Sequence, residues 1–320
     1  MNTIVSIDAS SAERLEVVRS ADRLAAIEAD WMHLWHRTDG LIFQSHAWIS
    51  AWWSTVADRD QRALRIGLVW NGDRLVAVFP MAIGKRKGLR FLEWAAGSYT
   101  DYGDILVAPE CSSSALQDVW ARICEAGGFD IAFLNHLLPG AAVRRIFTPD
   151  TSGGIRLRPN HREEVSYRVA GQWESGAAWF AEQSKKTRQN YRRGVKTLAR
   201  AGVLHIFVLE CNGAMVAVSI NFVQHHTMMA FVTTFDPDFS QASPGMILMM
   251  DYIRWSIDHG LRTVDFLCGA ESFKHKFATQ GVVLQSVLGT RTAQGSLASL
   301  ADRMRQRVRH VRGRGLVPTA

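Results

Sequence analysis

The sequence predicts an α/β protein of the α+β kind, made of two similar halves, each with a mixed, mostly antiparallel sheet flanked by helices. The chain has 320 residues, enough for about two domains. An Asn-Gly turn joins two β-rich runs in each half, at Asn71-Gly72 and at Asn212-Gly213, which is a strong hairpin signal. In each half a helix precedes the hairpin, and a third strand, a loop, a helix and a strand follow it.

The first half begins with helical patterns. Apolar residues near the N-terminus recur at the spacing of one helix face: Leu24, Ile27, Trp31, Leu34 and Trp35. A tryptophan-rich second helix follows in HAWISAWWSTV, and the hairpin strands are ALRIGLVW and RLVAVFPMAI. The third strand is LRFLEWA. After the loop GSYTDYGD we expect a short strand, a helix over about Ser113–Ala126 and the strand FDIAFLNHL.

The segment from Pro139 to Arg162 is rich in proline and glycine and shows little periodicity, so it is the best candidate for a linker. It divides the chain into an N-terminal domain, 1–160, and a C-terminal domain, 161–320. The second half should open with a basic helix over about Glu182–Arg200. The hairpin strands VLHIFVLE and MVAVSINFV, the third strand MMAFVTTF, a helix opened by Ser-Pro-Gly and the strand RTVDFLC follow.

Composition excludes several classes of protein. No apolar stretch approaches the ~20 residues that a membrane span needs, and the N-terminus lacks the pattern of a secretory signal. Four scattered cysteines without a Cys-x-x-Cys pair favour a cytoplasmic protein with no metal site. The adjacent His225 and His226 would point to opposite faces of a strand. No Walker loop, nicotinamide fingerprint or Gly-x-Ser-x-Gly elbow is present.

The formal net charge of +7 is concentrated in two patches. One has no acidic residue and comprises Lys185, Lys186, Arg188, Arg192, Arg193, Lys196 and Arg200; the other is at the C-terminus and comprises Arg303, Arg305, Arg307, Arg309, Arg312 and Arg314. They are either solvated helix faces or contacts with phosphate on a cofactor, a nucleic acid or a lipid surface. Nucleic acid is the least favoured partner, because the C-terminal patch lacks interleaved aromatic residues.

The stretch SPGMILMMDYIRWSIDHGLRTVDF points to an anion site. Ser243 can cap the helix, Pro244 suits the first helical position, and Gly245 would let a ligand approach the backbone. A helix N-terminus presents unpaired N–H groups and a partial positive charge. The alternative is that Ser-Pro-Gly only starts a helix well.

These elements, in this order, resemble the core of the GNAT acyltransferases. More closely, the chain is similar to the FemAB-related, CelD/BcsL-like acetyltransferases associated with cellulose and exopolysaccharide gene clusters. The resemblance covers nearly the whole chain and is carried by Phe43-Gln44-Ser45, Trp48, Trp52-Trp53, Phe79-Pro80, Thr100-Asp101-Tyr102, SKKTRQNYRRGVKTLARAG, FDPDFSQASPGMIL and VDFLCGAESFKHKFA.

The resemblance implies two tandem GNAT-like subdomains and transfer of an acyl group from acyl-CoA, with acetyl-CoA as the expected co-substrate. By that resemblance the cofactor phosphates would contact Ser243, Pro244, Gly245 and the adjoining Met246. A backbone N–H on the fourth strand, near Thr233, Thr234 and Phe235, would meet the thioester carbonyl. The reaction centre would be lined by Asp265, Glu271 and Lys274.

The chain departs from the family pattern at two places. Ala270 precedes Glu271 and Phe273 precedes Lys274, where relatives often carry Asp-Glu and Tyr-Lys, so a tyrosine hydroxyl is missing. The basic helix also runs almost directly into VLHIFVLE, so the second subdomain is expected to be shortened. Glu271 is the first candidate for the general base and Asp101 the second. The alternative is that Glu271 serves only in an ion pair and Asp101 only in a turn.

The expected function is therefore acyl transfer to an amine or hydroxyl of a cell-surface polysaccharide precursor or a related small molecule. The protein is expected to be cytoplasmic, with peripheral contact at the inner membrane through its basic patches. The alternative is a catalytically impaired protein of transferase fold that binds nucleic acid or a membrane surface. The sequence does not identify the acceptor, the acyl chain length or the oligomeric state.

Overall fold

The computed structural model describes residues 13–55, 57, 61–147, 154–171, 173–189, 208–211, 214–269 and 271–313. Several predicted features therefore lie outside the described residues: the Asn212-Gly213 turn, Ala270, Arg314, the basic helix beyond residue 189 and the first five residues of VLHIFVLE. The contacts divide the chain into two compact units. The first comprises Met1–Glu163 together with Leu284–Ala320, and the second comprises Glu164–Val283.

The helices and strands have the following bounds in the described residues. The helices are α1 Ala21–Ala26, α2 Glu28–Arg37, α3 His46–Thr55, α4 Ser113–Glu125, α5 Gly176–Glu182, α6 Pro244–Asp258, α7 Ser272–Phe277 and α8 Ala293–Gly313. The strands are β1 Glu13–Val18, β2 Arg62–Leu64, β3 Ile66–Asn71, β4 Arg74–Phe79, β5 Met81–Arg86, β6 Leu89–Trp94, β7 Leu106–Val107, β8 Ile131–Leu137, β9 Arg158–Ala170, β10 Val208–Cys211, β11 Ala214–Gln224, β12 Thr227–Phe235, β13 Thr263–Asp265 and β14 Gln280–Thr290.

The first unit contains two sheets in its described part. Strands β1-β3-β4-β7 form one of them, and β2-β5-β6-β8 with the second half of β14 form the other. The predicted hairpin at Asn71-Gly72 is confirmed as β3–β4. The predicted strand RLVAVFPMAI is two strands instead, because Pro80 cannot donate a ladder hydrogen bond and separates β4 from β5.

The core of the first unit is built from the predicted periodic residues. Trp31, Leu34 and Ile27 are fully buried, although the helix they mark is interrupted at Ile27, between α1 and α2. The α1 helix begins at Ser20, whose hydroxyl accepts the Arg23 N–H at 3.3 Å. Trp120 on α4 is 2% exposed and donates its indole N–H to the Ile155 carbonyl. Helix α4 packs on β3 and closes the core there.

In the second unit the described strands follow the order β10-β11-β12-β13-β9, and the first part of β14 lies next to β9. The predicted hairpin of the second half is confirmed as β10–β11, which pair antiparallel with Cys211 opposite Ala214. Helix α6 packs on β11, β12 and α5. Its Ile247, Leu248 and Ile253 side chains are buried in the core of this unit.

Five strands in each unit share one strand order and one set of directions. In the first, β2–β5 and β5–β6 are antiparallel, β6–β8 parallel and β8–β14 antiparallel. In the second, β10–β11 and β11–β12 are antiparallel, β12–β13 parallel and β13–β9 antiparallel. A helix connects the parallel strands each time, α4 or α6. The predicted α/β class with two similar halves is thus confirmed, but the counterpart of the β10–β11 hairpin is the β2–β5 pair, not the β3–β4 hairpin.

In each set of five strands, the last strand comes from the chain segment that follows the other set in the sequence. Strand β9 comes after the strands of the first unit and pairs with β13, whereas β14 comes after β13 and pairs with β8. Residues 284–313, which the sequence division at residue 160 assigned to the second half, therefore pack in the first unit. The predicted linker also contains a 3₁₀ turn, Ala142–Ile146, and the start of β9.

None of the helices in the described ranges combines the length and apolar character that crossing a bilayer requires.

Candidate active site

Strands β12 and β13 are paired over only three residues. Thr227, Met228 and Met229 lie opposite Thr263, Val264 and Asp265. Strand β13 then ends, but β12 continues to Phe235. Among the described residues no strand pairs with this side of β12 after Met229. Its main-chain donors and acceptors therefore form an open sheet edge within the unit.

A β-bulge marks the point where β12 passes the end of β13. Ile220 is opposite Val232 and Asn221 is opposite Ala230, which leaves Phe231 as the extra residue on β12. A bulge bends its strand and redirects the backbone groups beyond it, and bulges are frequent beside active sites. The bulge lies two residues before Thr233, the first of the three residues near which the resemblance places the N–H that meets the thioester carbonyl.

Helix α6 begins beside the unpaired end of β12. Pro244 occupies its first turn as predicted. The predicted side-chain cap is wrong: Ser243 lies in the left-handed region with φ 54° and ψ 54°, and its hydroxyl makes no capping hydrogen bond. Its carbonyl instead accepts the N–H groups of Met246 and Ile247, at 3.0 and 3.2 Å. Pro244 has no N–H, and the N–H groups of Met246 and Ile247 are used by Ser243. Among the described residues, the Gly245 N–H is therefore the amide of this first turn that can bind a ligand.

The predicted cofactor residues come together at this helix start. A Cβ added at Gly245 would lie 3.3 Å from Cδ1 of Phe235 and 3.9 Å from Cγ2 of Thr233. Thr233, Thr234 and Phe235 are all exposed at the end of β12. Glycine is thus required for close approach to this surface, because any side chain would fill the space between α6 and the end of β12.

A chain of hydroxyl groups behind Thr233 was not predicted from the sequence. The Tyr252 hydroxyl on α6 hydrogen-bonds Thr233, whose Oγ1 is 2.8 Å from Ser219 Oγ. Ser219 donates in turn to Asn221 Oδ1 at 3.1 Å. Burial raises the pKa of the Tyr252 hydroxyl above its ordinary range, so it stays protonated and holds β12 beyond the bulge against α6. The sequence signal was the two polar residues in the apolar run AVSINF.

Asp265, predicted to line the reaction centre, is a buried structural carboxylate. Its side chain is 2% exposed and pairs with the Arg168 guanidinium, with 2.8 Å between Nε and Oδ2. Oδ1 accepts hydrogen bonds from the Ser166 hydroxyl and the Leu267 N–H, both at 2.9 Å. With this set of partners, Asp265 ties the end of β13 to β9.

Glu271 ends the turn that follows β13, and Lys274 lies in the first turn of α7. The turn passes through Leu267 at φ 59° and Gly269 at φ 118°, so a Cβ at Gly269 would lie 2.4 Å from the Glu271 carboxylate. Glu271 Oε2 is 2.9 Å from the buried Lys274 Nζ. Partial burial raises the pKa of Glu271, but hydrogen bonds from Lys274 and the backbone outweigh it, so the pKa lies below its ordinary value. Glu271 is ionised and able to accept a proton.

Asp101 lies in the first unit, in the loop between Thr100 and Asp104. Its neighbours hold this loop in place: the Tyr102 carbonyl accepts the Gln44 side-chain N–H at 2.8 Å, and the Thr100 carbonyl is 2.9 Å from His136 Nδ1. The other predicted site residues belong to the second unit.

Comparison with known protein families matched part of the chain. Residues 150–275 match the family described as an acetyltransferase (GNAT) domain. The match contains β12, α6, β13 and the Glu271 turn. Comparison with curated protein sequences gave no match.

Several solved structures are similar to the chain at low identity. A tandem GNAT protein from the clavulanic acid biosynthesis pathway is 12% identical, with 87% of this chain and 100% of that chain covered and a TM-score of 0.43. FemX is 10% identical, with 85% and 96% covered and a TM-score of 0.46. L-PGS from Bacillus licheniformis is 12% identical, with 72% and 86% covered and a TM-score of 0.40.

Proposed function

We propose that the protein transfers an acyl group, acetyl in the first instance, from acyl-CoA to an amine or hydroxyl. One observation carries this proposal: within the residues that match the acetyltransferase (GNAT) domain, β12 leaves β13 at a bulge beside the glycine-lined start of α6. An open strand edge and a helix N-terminus in the same place suit a ligand that has both amide and phosphate groups, as CoA does.

The two parts of the site would hold different parts of the thioester. The open edge of β12 offers backbone N–H and C=O groups for strand-like pairing with the amides of the pantetheine arm. The Gly245 N–H and the positive end of the α6 dipole would meet the diphosphate. The bulge at Phe231 would direct an N–H of β12 at the thioester carbonyl, where it stabilises the negative charge that develops on oxygen.

The proton of the attacking amine or hydroxyl would pass to Glu271. Its carboxylate is 54% exposed and ionised, and Lys274 holds it at the end of β13. Asp101 stays the second choice. Since fixed positioning of two reactants can supply roughly 7–11 kcal/mol of the barrier, a weakly basic carboxylate suffices for this chemistry.

For the acceptor we propose a precursor of a cell-surface polysaccharide or a related small molecule, and for the location the cytoplasmic side of the inner membrane. This rests on the resemblance of the quoted motifs to the CelD/BcsL-like acetyltransferases. Binding of acetyl-CoA does not depend on the acceptor and can be tested by itself.

The test is thermal unfolding with increasing CoA and acetyl-CoA, since a ligand of the folded state raises the melting temperature. We expect stabilisation of the wild-type chain and little for Gly245→Glu, which places bulk and negative charge at the diphosphate position. Gly140→Glu is the matched control, because a Cβ at Gly140 meets nothing within 4 Å.

Release of CoA in the presence of amino-sugar and polysaccharide acceptors then tests turnover. Stabilisation without turnover on any acceptor would contradict the catalytic part of the proposal. No stabilisation by CoA, or equal stabilisation of Gly245→Glu, would contradict the proposed site, and salt-sensitive binding of nucleic acid in that case would favour a transferase-fold binding protein.

A further inference from the structure

The C-terminal helix α8 is attached to the first unit along one side of its N-terminal half. The Thr292 hydroxyl accepts the Gly295 N–H at 3.1 Å and donates to Asp130 Oδ1 at 3.0 Å. Gly295 lies so close to this region that a Cβ would be 2.4 Å from the Asp130 carbonyl oxygen. Ser299, one turn later, is 6% exposed. This side of α8 therefore faces the protein.

The opposite side of α8 carries large apolar side chains in water. Leu297, Leu300 and Met304 are 69%, 53% and 61% exposed. At roughly 100° per residue they fall within about 60° of one another and roughly opposite Ser299. The sequence continues the same spacing with Val308 and Val311. A helix normally turns such a stripe towards the core, so this stripe needs another partner.

The charge of α8 indicates which partner fits the stripe. The exposed Arg303 and Arg305 lie on the two flanks of the stripe by helical spacing. The sequence adds Arg307, Arg309 and Arg312, against the single acidic residue Asp302 in the whole helix. An amphipathic helix with a basic polar face and low overall hydrophobicity is typical of segments that lie in the interface of an anionic membrane.

We propose that α8 is a membrane-surface helix that binds anionic phospholipid. Leu297, Leu300 and Met304 insert between the acyl chains, and the arginine side chains extend to the headgroup phosphates. A second copy of the chain is a poorer partner, because pairing two such helices along the stripe brings like-charged arginines together. Nucleic acid is also a poorer partner, because it would leave the apolar stripe in water. The proposal is independent of the acyltransferase activity.

The test is flotation of the full chain with vesicles of phosphatidylcholine containing 30 mol% phosphatidylglycerol, and with pure phosphatidylcholine vesicles. We expect binding to the anionic vesicles that weakens as NaCl is raised. The triple variant Leu297→Ser/Leu300→Ser/Met304→Ser should lose at least about tenfold in affinity, because each change removes an inserting side chain. Arg303→Glu/Arg305→Glu should lose about tenfold or more.

Matched control variants show whether a loss of vesicle binding is specific to α8 or follows from a similar change elsewhere on the surface. Met215→Ser changes a methionine that is 60% exposed on β11, and it should alter binding less than twofold where Met304→Ser weakens it several-fold. Lys85→Glu/Lys87→Glu makes the same change in net charge at another exposed site of the first unit. Melting temperatures within about 2 °C of the wild type should show that the α8 variants fold.

Three outcomes would overturn the proposal. Equal binding by the apolar triple variant would show that α8 does not insert. Binding of a 20-base-pair DNA or RNA duplex, with a steep salt slope and without binding to vesicles, would identify a nucleic-acid surface instead. A dimer in sedimentation velocity that the triple variant abolishes, again without vesicle binding, would identify a second copy as the partner.

Discussion

The Nζ atom of Lys274 lies 2.9 Å from Oε2 of Glu271, and the two partners differ in exposure: the lysine side chain is 7% exposed and the glutamate 54%. The buried cation is thus fixed, and the carboxylate that faces solvent is the one free to act on a ligand. This difference in exposure indicates that Lys274 positions the carboxylate, and Glu271 is the candidate general base of the second unit.

Glu271→Gln should lower kcat for acyl transfer about 100-fold, because the amide keeps the contact with Lys274 but cannot accept a proton. KM for acetyl-CoA should change little, since Glu271 is not among the residues that would hold the cofactor. The measurement is the initial rate of CoA release with a saturating acceptor.

Asp238→Asn, an exposed carboxylate before α6, is the control for the loss of one negative charge in this unit. An unchanged kcat in Glu271→Gln would mean that Glu271 serves only as the ion-pair partner of Lys274. In that case Asp101→Asn would be the next variant to measure.

Asp265→Asn should destabilise the protein by roughly 3 kcal/mol, because it removes the buried carboxylate charge that is 2.8 Å from the largely buried Arg168 guanidinium. Urea unfolding measures the free energy change, with Asp238→Asn as the control. A cost below about 1 kcal/mol would contradict the structural role assigned to this carboxylate, and would reopen the predicted role in the reaction centre.

Ser243→Ala should cost less than about 0.5 kcal/mol, because the Ser243 hydroxyl makes no capping hydrogen bond. Ser175→Ala should cost about 1 kcal/mol, because the Ser175 hydroxyl accepts the Ala178 N–H at 3.1 Å at the start of α5. Thermal or urea unfolding of the two variants side by side checks the difference. Equal costs would show that Ser243 caps α6 in solution.

Asp104 should make stability depend on pH. Burial raises its pKa from 3.8 to about 6, although it accepts backbone N–H groups of Ile105, Ala142 and Val143. The folded protein therefore holds more protons than the unfolded chain between these values, and the Asp104 contribution, fully present below pH 3.8, is lost as the pH rises through 6. By linkage the loss is about 3 kcal/mol.

The measurement is the free energy of unfolding of the wild type and Asp104→Asn from pH 4 to pH 7. The wild type should lose about 2.4 kcal/mol relative to the variant over this range. The contributions of the other carboxylates to the free energy of unfolding cancel in this difference, because both proteins contain them. Parallel curves would contradict the raised pKa, and Asp238→Asn should run parallel to the wild type.

The elements that local pattern determines were predictable from the sequence. Alternating apolar residues around Asn71-Gly72 indicated the β3–β4 hairpin, and Pro244 at N1 marked the start of α6. The grouping of Thr233, Phe235 and Gly245 also followed, because the strand–loop–helix order places a helix start next to a strand end.

Features that depend on pairing partners were not predictable. The bulge at Phe231 exists only in the register between β11 and β12. Strand β14 was missed because its partner β8 lies about 150 residues earlier in the chain, and no local signal links them. Ser243 was misread because the residue type suits a cap, whereas its left-handed backbone directs the carbonyl, and not the hydroxyl, at the helix.

The reciprocal use of β9 and β14 has a consequence for biosynthesis. When a ribosome has finished the first 160 residues, the sheet built on β5, β6 and β8 still lacks the strand that pairs with β8, since β14 is translated more than a hundred residues later. The nascent chain must keep that hydrogen-bonding edge from aggregating until β14 has been made.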